Sequence, residues 1–221
     1  MTEDEAQLWL QNTFNVSRET RAKFDIFVEF LKREALTQNL ISSSTVDHIW
    51  SRHIVDSAQL LCFASDSRGP WIDLGSGAGF PGLVVALLSQ HHITLVESRA
   101  RRIDFLKRAI AVLDLEARVE VACMALESLK TVPYSVISAR AFAPLPRLME
   151  VAARFSTDKT LWLLPKGRNA AKEWEDVKSL WNADFRLERS VTSDEAGILV
   201  GHVISKPGHH SVQSARGQQT V

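Results

Sequence analysis

The sequence predicts an α/β protein with a doubly wound, mostly parallel sheet of seven strands, preceded by a helical segment. From residue 71 onward, short β-branched runs alternate with helical stretches, which is typical of this fold class. A glycine-rich stretch directly follows the first run, and the last two runs follow one another without a long helix between them. We therefore expect these last two strands to form an antiparallel hairpin at the sheet edge.

Residues 1–64 are expected to form the helical segment. Thr2 and Glu5 have the spacing of a capping box at the start of one helix, and Ser17 can begin a second. Apolar residues then recur at helical spacing in two stretches. They are Phe24, Phe27, Val28, Leu31 and Leu36 in the first, and Val46, Ile49, Trp50, Ile54, Ala58 and Leu61 in the second.

The alternation of strands and helices begins after a turn-rich linker at residues 65–70. Strands are predicted at residues 71–74, 93–96, 119–122, 135–138, 160–164, 185–191 and 198–204. Helices are predicted at residues 83–90, 100–113, 145–155 and 170–181. The polar residues 206–221 are expected to be a disordered tail. A second domain is thus predicted over residues 65–205.

Composition excludes several classes of protein. The 26 Lys and Arg balance 26 Asp and Glu, so any RNA binding must come from one face rather than from a uniformly basic surface. No apolar run approaches the ~20 residues of a membrane span, and the acidic N-terminus lacks the features of a signal peptide. Cys62 and Cys123 are too few for a disulfide framework and are expected to be buried. We expect a cytoplasmic monomer with no membrane partner and no metal.

Residues 73–82 carry the strongest signal for a binding site. A predicted strand runs into Gly75, Gly77 and Gly79 and then into a helix. Glycine permits positive φ and lets a ligand lie against bare backbone, while the start of the helix offers unpaired N–H groups. A pocket for a nucleotide-like cofactor is therefore predicted at this loop.

Two cofactor classes fit the loop. Residues 77–82 satisfy the G-x-G-x-x-G pattern of dinucleotide-binding proteins, and Glu97 at the end of the second strand could bind the ribose of either cofactor. Asp73 favours S-adenosylmethionine (SAM), which carries an ammonium and a sulfonium, over a pyrophosphate. An NAD-binding oxidoreductase and a non-catalytic, SAM-sensing RNA-binding module are the alternatives.

Motifs over most of residues 20–205 resemble those of the bacterial 16S rRNA guanine-N7 methyltransferase family, RsmG, also called glucose-inhibited division protein B. They are Asn39-Leu40, Arg52-His53-Ile54-Val55-Asp56-Ser57, Gly79-Phe80-Pro81-Gly82, Arg101-Arg102-Ile103-Asp104-Phe105-Leu106, Ser138-Ala139-Arg140-Ala141-Phe142-Ala143 and Pro165-Lys166-Gly167. Many relatives have Ser-Arg without the intervening Ala139, and an arginine often stands in place of Ala125.

The resemblance implies a class I SAM-methyltransferase fold with its catalytic domain at residues 65–205. It implies methyl transfer from SAM to N7 of a guanine in 16S rRNA, guanine 527 in the 530 loop, with the small ribosomal subunit as partner. Together, the loop and the resemblance predict a set of cofactor contacts. They are Asp73, Gly75, Gly77, Gly79, Phe80, Glu97, Leu126, Glu127 and Arg140.

Arg140 and Lys166 follow predicted strands at the edge of the sheet where α/β proteins hold ligands. We expect both to position the substrate, without a covalent nucleophile, because N7 of guanine already carries a lone pair. The alternative for each is an ion pair that holds a loop. Phe142 could stack on the target base or belong to the core.

RNA contacts are predicted from Arg52, Arg101, Arg102 and Lys166. Arg101 and Arg102 belong to the densest basic cluster, which also contains Arg99, Lys107 and Arg108 and could equally be a solvated helix face. His53 and Asp56 have the i,i+3 spacing that favours a local pair on a helix. For His53, capping or packing is the role that we expect.

Overall fold

The computed structural model describes residues 1–64 and 69–205, and a single sheet organises them. Its strand order is β3-β2-β1-β4-β5-β7-β6. The strands are β1 (Trp71–Leu74), β2 (Ile93–Glu97), β3 (Val119–Cys123), β4 (Val136–Ala139), β5 (Leu161–Lys166), β6 (Asn182–Arg189) and β7 (Gly197–Ser205). The first five are parallel, and β7 lies antiparallel to both β5 and β6. The predicted fold class is confirmed, and so is the edge hairpin.

Four helices connect or follow the strands. They are α4 (Gly82–Leu88), α5 (Ala100–Val112), α6 (Leu145–Ala152) and α7 (Ala170–Val177). The predicted helices at residues 145–155 and 170–181 end earlier as α-helix and continue as 3₁₀ turns at Ala153–Phe155 and Lys178–Leu180. Another 3₁₀ turn, Leu126–Ser128, follows β3. The 3₁₀ turns that follow α6 and α7 tighten the last residues of these helices, as such turns commonly do.

The helical segment begins as predicted. Helix α1 (Glu3–Phe14) starts with a capping box, in which Glu5 N donates to Thr2 Oγ1 at 3.2 Å and Thr2 N donates to Glu5 Oε2 at 2.7 Å. Ser17 caps α2 (Arg18–Ala35), since its Oγ accepts from Thr20 N at 3.0 Å. The placement of Leu36 on the apolar stripe is wrong, because α2 has ended there and Leu36 is 87% exposed.

The second helical stretch is not a regular α-helix. It consists of a 3₁₀ turn, a π-helix, the short α3 and a further 3₁₀ turn. These are Ser43–His48, Trp50–Val55, Asp56–Ala58 and Gln59–Phe63. A π-helix is wider than an α-helix because its hydrogen bonds join residues five apart. Ile49, Trp50, Ile54 and Ala58 are nevertheless buried together in one apolar cluster, as their spacing predicts.

Two apolar clusters cover the two faces of the sheet. On β1, Trp71 belongs to one cluster and Ile72 to the other, as the period of two along a strand requires. The first cluster contains residues of α1, α2, α4 and α5, and the second contains residues of α6 and α7. The helical segment therefore shares a core with α4 and α5. The domain division at residue 65 stays a prediction.

Two further expectations meet different outcomes. Cys62 and Cys123 are exposed, so the expectation of burial is wrong: Cys62 lies in a surface turn and Cys123 ends the edge strand β3. The expected tail at residues 206–221, together with linker residues 65–68, lies outside the described residues. Across the part of the chain that the structure describes, no helix is both long and apolar enough to cross a membrane.

The first prediction concerns Glu3, whose carboxylate anchors α1 to the start of the π-helix. Glu3 Oε2 accepts from Trp50 N at 2.9 Å, and Oε1 accepts from Ser51 N at 2.9 Å and Ser51 Oγ at 2.7 Å. We expect Glu3→Ala to lower the free energy of unfolding by about 1–3 kcal/mol, because it leaves partly buried donors without an acceptor. Urea denaturation measures the change.

A matched control is Glu19→Ala on the neighbouring helix. The Glu19 side chain is 83% exposed and lies 3.8 Å from Lys23 Nζ, so its loss is expected to change stability by less than about 0.5 kcal/mol. Equal effects of the two substitutions would show that the Glu3 carboxylate does not anchor α1.

Candidate active site

A cavity of about 1020 Å³ opens at the carboxyl ends of the central strands. The register pairs Leu74 of β1 with Ala139 of β4, so Gly75 and Arg140 leave the sheet side by side. Strand β1 lies between β2 and β4, where the strand order reverses, and open α/β sheets bind ligands at this point. Both Gly75 and Arg140 line the cavity, as the sequence predicted for residues of one site.

The glycine loop has a conformation that other residues would strain. Gly75 has φ +67°, and a Cβ there would lie 2.5 Å from Phe142 Cδ2. Gly79 has φ +86°, and a Cβ there would collide with the side chain of Leu83. Gly75 and Gly77 present their backbone to the cavity, whereas Gly79 does not line it and packs against the helix instead.

Asp73 lies beneath this loop, fully buried, and outside the residues that line the cavity. Its Oδ1 accepts from Ser138 Oγ at 2.8 Å, and its Oδ2 accepts from Gly82 N at 3.3 Å. Burial raises the pKa of Asp73 to about 6, although the hydrogen bonds oppose this shift. The carboxylate thus joins the loop to β4, and its predicted cofactor contact stays a prediction.

Glu97 holds the other side of the loop. Its Oε2 accepts from Gly77 N at 3.2 Å, and its Oε1 accepts from Ser98 N at 2.8 Å and Arg99 N at 3.0 Å. The side chain is buried and adjoins a residue that lines the cavity. Glu97 therefore orients the loop and places a carboxylate beside the predicted cofactor site, where Arg102 Nη1, 3.8 Å from Oε2, offsets part of its negative charge.

Arg140 lies at the centre of a hydrogen-bond network in the cavity wall. Its Nη1 donates to Arg52 O and to Asp56 Oδ2, both at 3.2 Å. Its Nη2 donates to His53 Nδ1 at 3.0 Å. Its guanidinium also lies over the ring of Phe80, 5.2 Å from the centroid. Arg140 therefore forms the ion pair that was predicted as the alternative to a role in substrate positioning. It also lines the cavity.

His53 links this network to the chain segment before the π-helix. Because arginine can only donate, His53 Nδ1 must accept, so the proton of the neutral ring lies on Nε2. Nε2 donates to Thr45 Oγ1 at 2.9 Å, and the Thr45 hydroxyl donates to Ser42 O at 2.8 Å. Burial, assisted by the charges of Arg140 and Arg52, lowers the pKa of His53 to about 3.

The local pair of His53 with Asp56 that the spacing favours is not formed, whereas the expected packing role of His53 agrees with its burial. Each of the two side chains binds Arg140 instead. His53 belongs to the π-helix and Asp56 is the first residue of α3, so the two are not separated by three residues of one regular α-helix. The His53 ring stacks on Phe80, with 5.0 Å between centroids, which orients the histidine toward the cavity.

Ala141 turns the chain between Arg140 and Phe142. It has φ +52°, a left-handed conformation that is uncommon for residues other than glycine. Phe142 is partly buried and its ring lies against Gly75, so it lines the cavity and also packs on the second core cluster. Both predicted roles of Phe142 remain open.

Lys166 lies at the end of β5 and lines the cavity. Its Nζ lies 2.9 Å from Glu173 Oε2, which also accepts from Leu145 N at 3.1 Å. The structure therefore places Lys166 near the cavity but pairs it with an acidic side chain. Its predicted contact with the substrate stays a prediction.

The remaining predicted residues divide into two groups. Arg52 and Arg102 line the cavity, and Arg102 Nη2 donates to Asn39 O at 3.5 Å. Arg101 is exposed but lies outside the cavity lining. Leu126 is buried, and Glu127 pairs with Arg147 at 2.7 Å. Since neither Leu126 nor Glu127 lines the cavity, their cofactor contacts stay predictions.

Some residues of the site carried no assigned role in the sequence. Thr192, in the loop between β6 and β7, donates to Asp56 Oδ1 at 3.1 Å, and both residues line the cavity. Leu40 and Ile41 also line it. Asp56 and Leu40 belong to motifs that were recognised, whereas nothing in the sequence near Thr192 indicates its partner. Within the described ranges 1–64 and 69–205, no group of three or more His, Cys, Asp or Glu could hold a metal.

Known proteins resemble this chain in sequence and in fold. A family model for rRNA small subunit methyltransferase G matches residues 20–198. A ribosomal RNA small subunit methyltransferase G from Rhizorhabdus wittichii is 52% identical over 211 residues, covering 94% of this chain and 96% of that protein. One from Sphingopyxis alaskensis is 53% identical over 197 residues, covering 89% and 84%.

A solved structure extends the comparison to the fold. The O-methyltransferase from Bacillus cereus, in complex with SAH, has a TM-score of 0.58 at 15% sequence identity. The match covers 88% of this chain and 96% of that chain. At this identity the likeness shows a shared fold, and the fold is that of SAM-dependent methyltransferases.

The second prediction concerns the opposite pKa shifts of Asp73 and His53. The folded protein holds a proton on Asp73 below about pH 6, while the unfolded chain does so only below its usual pKa near 3.8, so Asp73 makes stability fall as pH rises through this window. His53 has the opposite sign, because the unfolded chain binds its proton below about pH 6.5 and the folded protein only near pH 3. The two contributions should largely cancel between pH 4 and pH 6.

Single substitutions separate the two contributions. Relative to the wild type, His53→Gln should shift the slope of unfolding free energy against pH downward by at most about 1.4 kcal/mol per pH unit, and Asp73→Asn should shift it upward. Urea denaturation at several pH values from 4 to 6 measures both slopes. Two slopes that match the wild type would contradict the assigned pKa shifts.

Proposed function

Because the chain belongs to the rRNA small subunit methyltransferase G family, we propose that it methylates N7 of a guanine in 16S rRNA, guanine 527 in the 530 loop. The chain is a SAM-dependent rRNA methyltransferase, and its substrate is the small ribosomal subunit. We propose that the protein acts as a monomer in the cytoplasm.

The sheet and the loop favour SAM over NAD. A dinucleotide-binding sheet has its strands in the order 3-2-1-4-5-6. Here β7 lies antiparallel between β5 and β6, as in the methyltransferase fold. The open cavity meets the bare backbone of Gly75 and Gly77, with the buried carboxylates of Asp73 and Glu97 beside the loop. This charge distribution suits a cationic cofactor. The NAD-binding alternative is therefore wrong, and membership of an enzyme family argues against a non-catalytic sensor.

We infer guanine N7 as the methyl acceptor mainly because the acidic side chains in the cavity are paired with cations. Among the described residues, three carboxylates line the cavity, and each pairs with a cation. The pairs are Asp56 with Arg140 at 3.2 Å, Glu173 with Lys166 at 2.9 Å, and Glu195 with Arg168 at 3.2 Å. His53 is neutral and both of its ring nitrogens are engaged.

Among the side chains of residues 1–64 and 69–205 that line the cavity, this arrangement therefore leaves no carboxylate or imidazole free to act as a general base. Methylation of a hydroxyl group or a carbon requires the removal of a proton, for which a base must be within reach. Guanine N7 carries a lone pair and loses no proton when it is methylated. The cavity therefore suits N7 better than an acceptor that must be deprotonated.

Catalysis by positioning follows from these properties. Bound SAM supplies an electrophilic methyl group on its sulfonium. The chain must then hold guanine N7 in line with that group, and orientation alone can contribute roughly 7–11 kcal/mol in favourable cases. We assign this positioning to Arg140 and Lys166 at the cavity. Arg52, Arg101 and Arg102 would contact the RNA backbone around it.

The third prediction tests reaction and substrate together. Labelled methyl from SAM should be incorporated into purified small subunits that lack the modification, and chemical cleavage at N7-methylguanine should give a single product in the 530 loop. Already modified subunits are the control and should accept no label. Binding of SAM without incorporation into unmodified subunits would refute the proposed substrate.

The fourth prediction concerns Arg140. We expect Arg140→Ala to fold and to reduce kcat by about a hundredfold, because loss of orientation by about 1 Å can cost this much. Multiple-turnover methyl transfer with saturating SAM and unmodified small subunits measures the change. Cys62→Ser, an exposed position outside the cavity lining, should retain the wild-type rate. If the Arg140→Ala variant folds and transfers methyl groups at a near-normal rate, Arg140 does not position the substrate.

A further inference from the structure

Asp56 joins three parts of the chain at the cavity wall. Its Oδ2 accepts from Arg140 Nη1, which follows β4. Its Oδ1 accepts from Thr192 Oγ1 and from Gln59 Nε2, each at 3.1 Å. The side chains of Arg140 and Asp56 are only 20% and 18% exposed, so solvent and salt screen their attraction less than that of a surface pair.

The network occupies part of the hydrogen-bonding capacity of Arg140 and leaves the rest available. A guanidinium has five N–H donors. Both Nη1 hydrogens are used by Arg52 O and Asp56 Oδ2, and one Nη2 hydrogen is used by His53 Nδ1. In the described ranges, Nε–H and the second Nη2 hydrogen have no acceptor.

Nε and Nη2 lie on the same edge of the planar guanidinium, and each of them retains one N–H without an acceptor in the described ranges. Two parallel N–H groups on one edge are suited to bidentate binding of an oxygen-rich group such as a phosphate. Arg140 lines the cavity, so a ligand bound there can reach its side chain. The face of the same group lies over Phe80, which restrains the plane.

We propose that Asp56 and His53 are positioning residues, which hold Arg140 so that its Nε–Nη2 edge binds an oxygen of the RNA substrate, either of a phosphate or of the target base. This inference rests on the proposed function, because it takes RNA as the ligand of Arg140. Asp56 and His53 act through Arg140 and do not themselves contact the reacting atoms. Without them, the long arginine side chain would sample several rotamers and lose this orientation.

A double-mutant cycle tests the proposal. Asp56→Asn removes the charge, and its amide can no longer accept hydrogen bonds on both sides. We expect Asp56→Asn to reduce kcat by about tenfold to a hundredfold in multiple-turnover transfer to unmodified small subunits with saturating SAM. In an Arg140→Ala background, the same substitution should change kcat by less than about twofold, because its effect passes through Arg140. Equal effects in both backgrounds would overturn the proposal.

A second variant tests the proposal independently in case Asp56→Asn does not fold. His53→Phe retains an aromatic ring to stack on Phe80 but removes the acceptor for Arg140 Nη2. It should also lower kcat more in the wild-type background than in the Arg140→Ala background. Asp25→Asn is the matched control, since it removes a carboxylate paired with Arg21 at 3.3 Å on α2, away from the cavity lining. It should leave kcat unchanged.

The measurements separate this inference from the proposed function. If the wild-type enzyme transfers no methyl group to unmodified subunits, the proposed function fails. If the wild-type enzyme is active but the losses are additive, only the positioning role fails. NMR of ¹⁵N-labelled arginine side chains gives a readout without turnover. Arg140 should show separate Nη signals in the wild type, which merge in Asp56→Asn, and merged signals in the wild type would overturn the positioning role.

Discussion

The site depends on the hydrogen bonds that the buried carboxylate of Asp73 accepts. This carboxylate accepts hydrogen bonds from Ser138 on β4 and from the backbone of Gly82 at the start of α4, so it joins the glycine loop to the two central strands. A carboxylate without solvent is costly unless it is hydrogen-bonded, and its raised pKa records that cost. The loop must therefore keep its left-handed turns, and the cavity beside it keeps its shape.

A second set of interactions determines which chemistry the cavity can perform. Arginine and lysine side chains neutralise the carboxylates that line it, and burial next to Arg140 keeps His53 neutral. In the described part of the chain, the carboxylates and the histidine that line the cavity are thereby held in ion pairs and hydrogen bonds instead of being free to act as bases. What remains available is oriented positive charge, which can bind an anionic RNA and align a base that already has a nucleophilic lone pair.

Much of the fold was predictable because its signals are local. The strand β1 and the capping box at Thr2 depend on residues within a few positions of one another, and both were predicted at the correct places. The glycine loop also follows from local backbone geometry. The helical stretch around His53 was predicted less well. Apolar spacing cannot distinguish a π-helix from an α-helix, and the predicted pair of His53 with Asp56 followed from the wrong geometry.

By itself, the sequence determined the fold class, the position of the glycine loop and the family motifs that contain Arg140 and Asp56. Only the tertiary structure decided which of these residues meet. The register of β1 and β4 places Arg140 beside Gly75, and packing of the helical segment brings Asp56 to Arg140 and to Thr192. The reason is physical: contacts between residues far apart in the chain are set by strand register and helix packing, which no local pattern encodes.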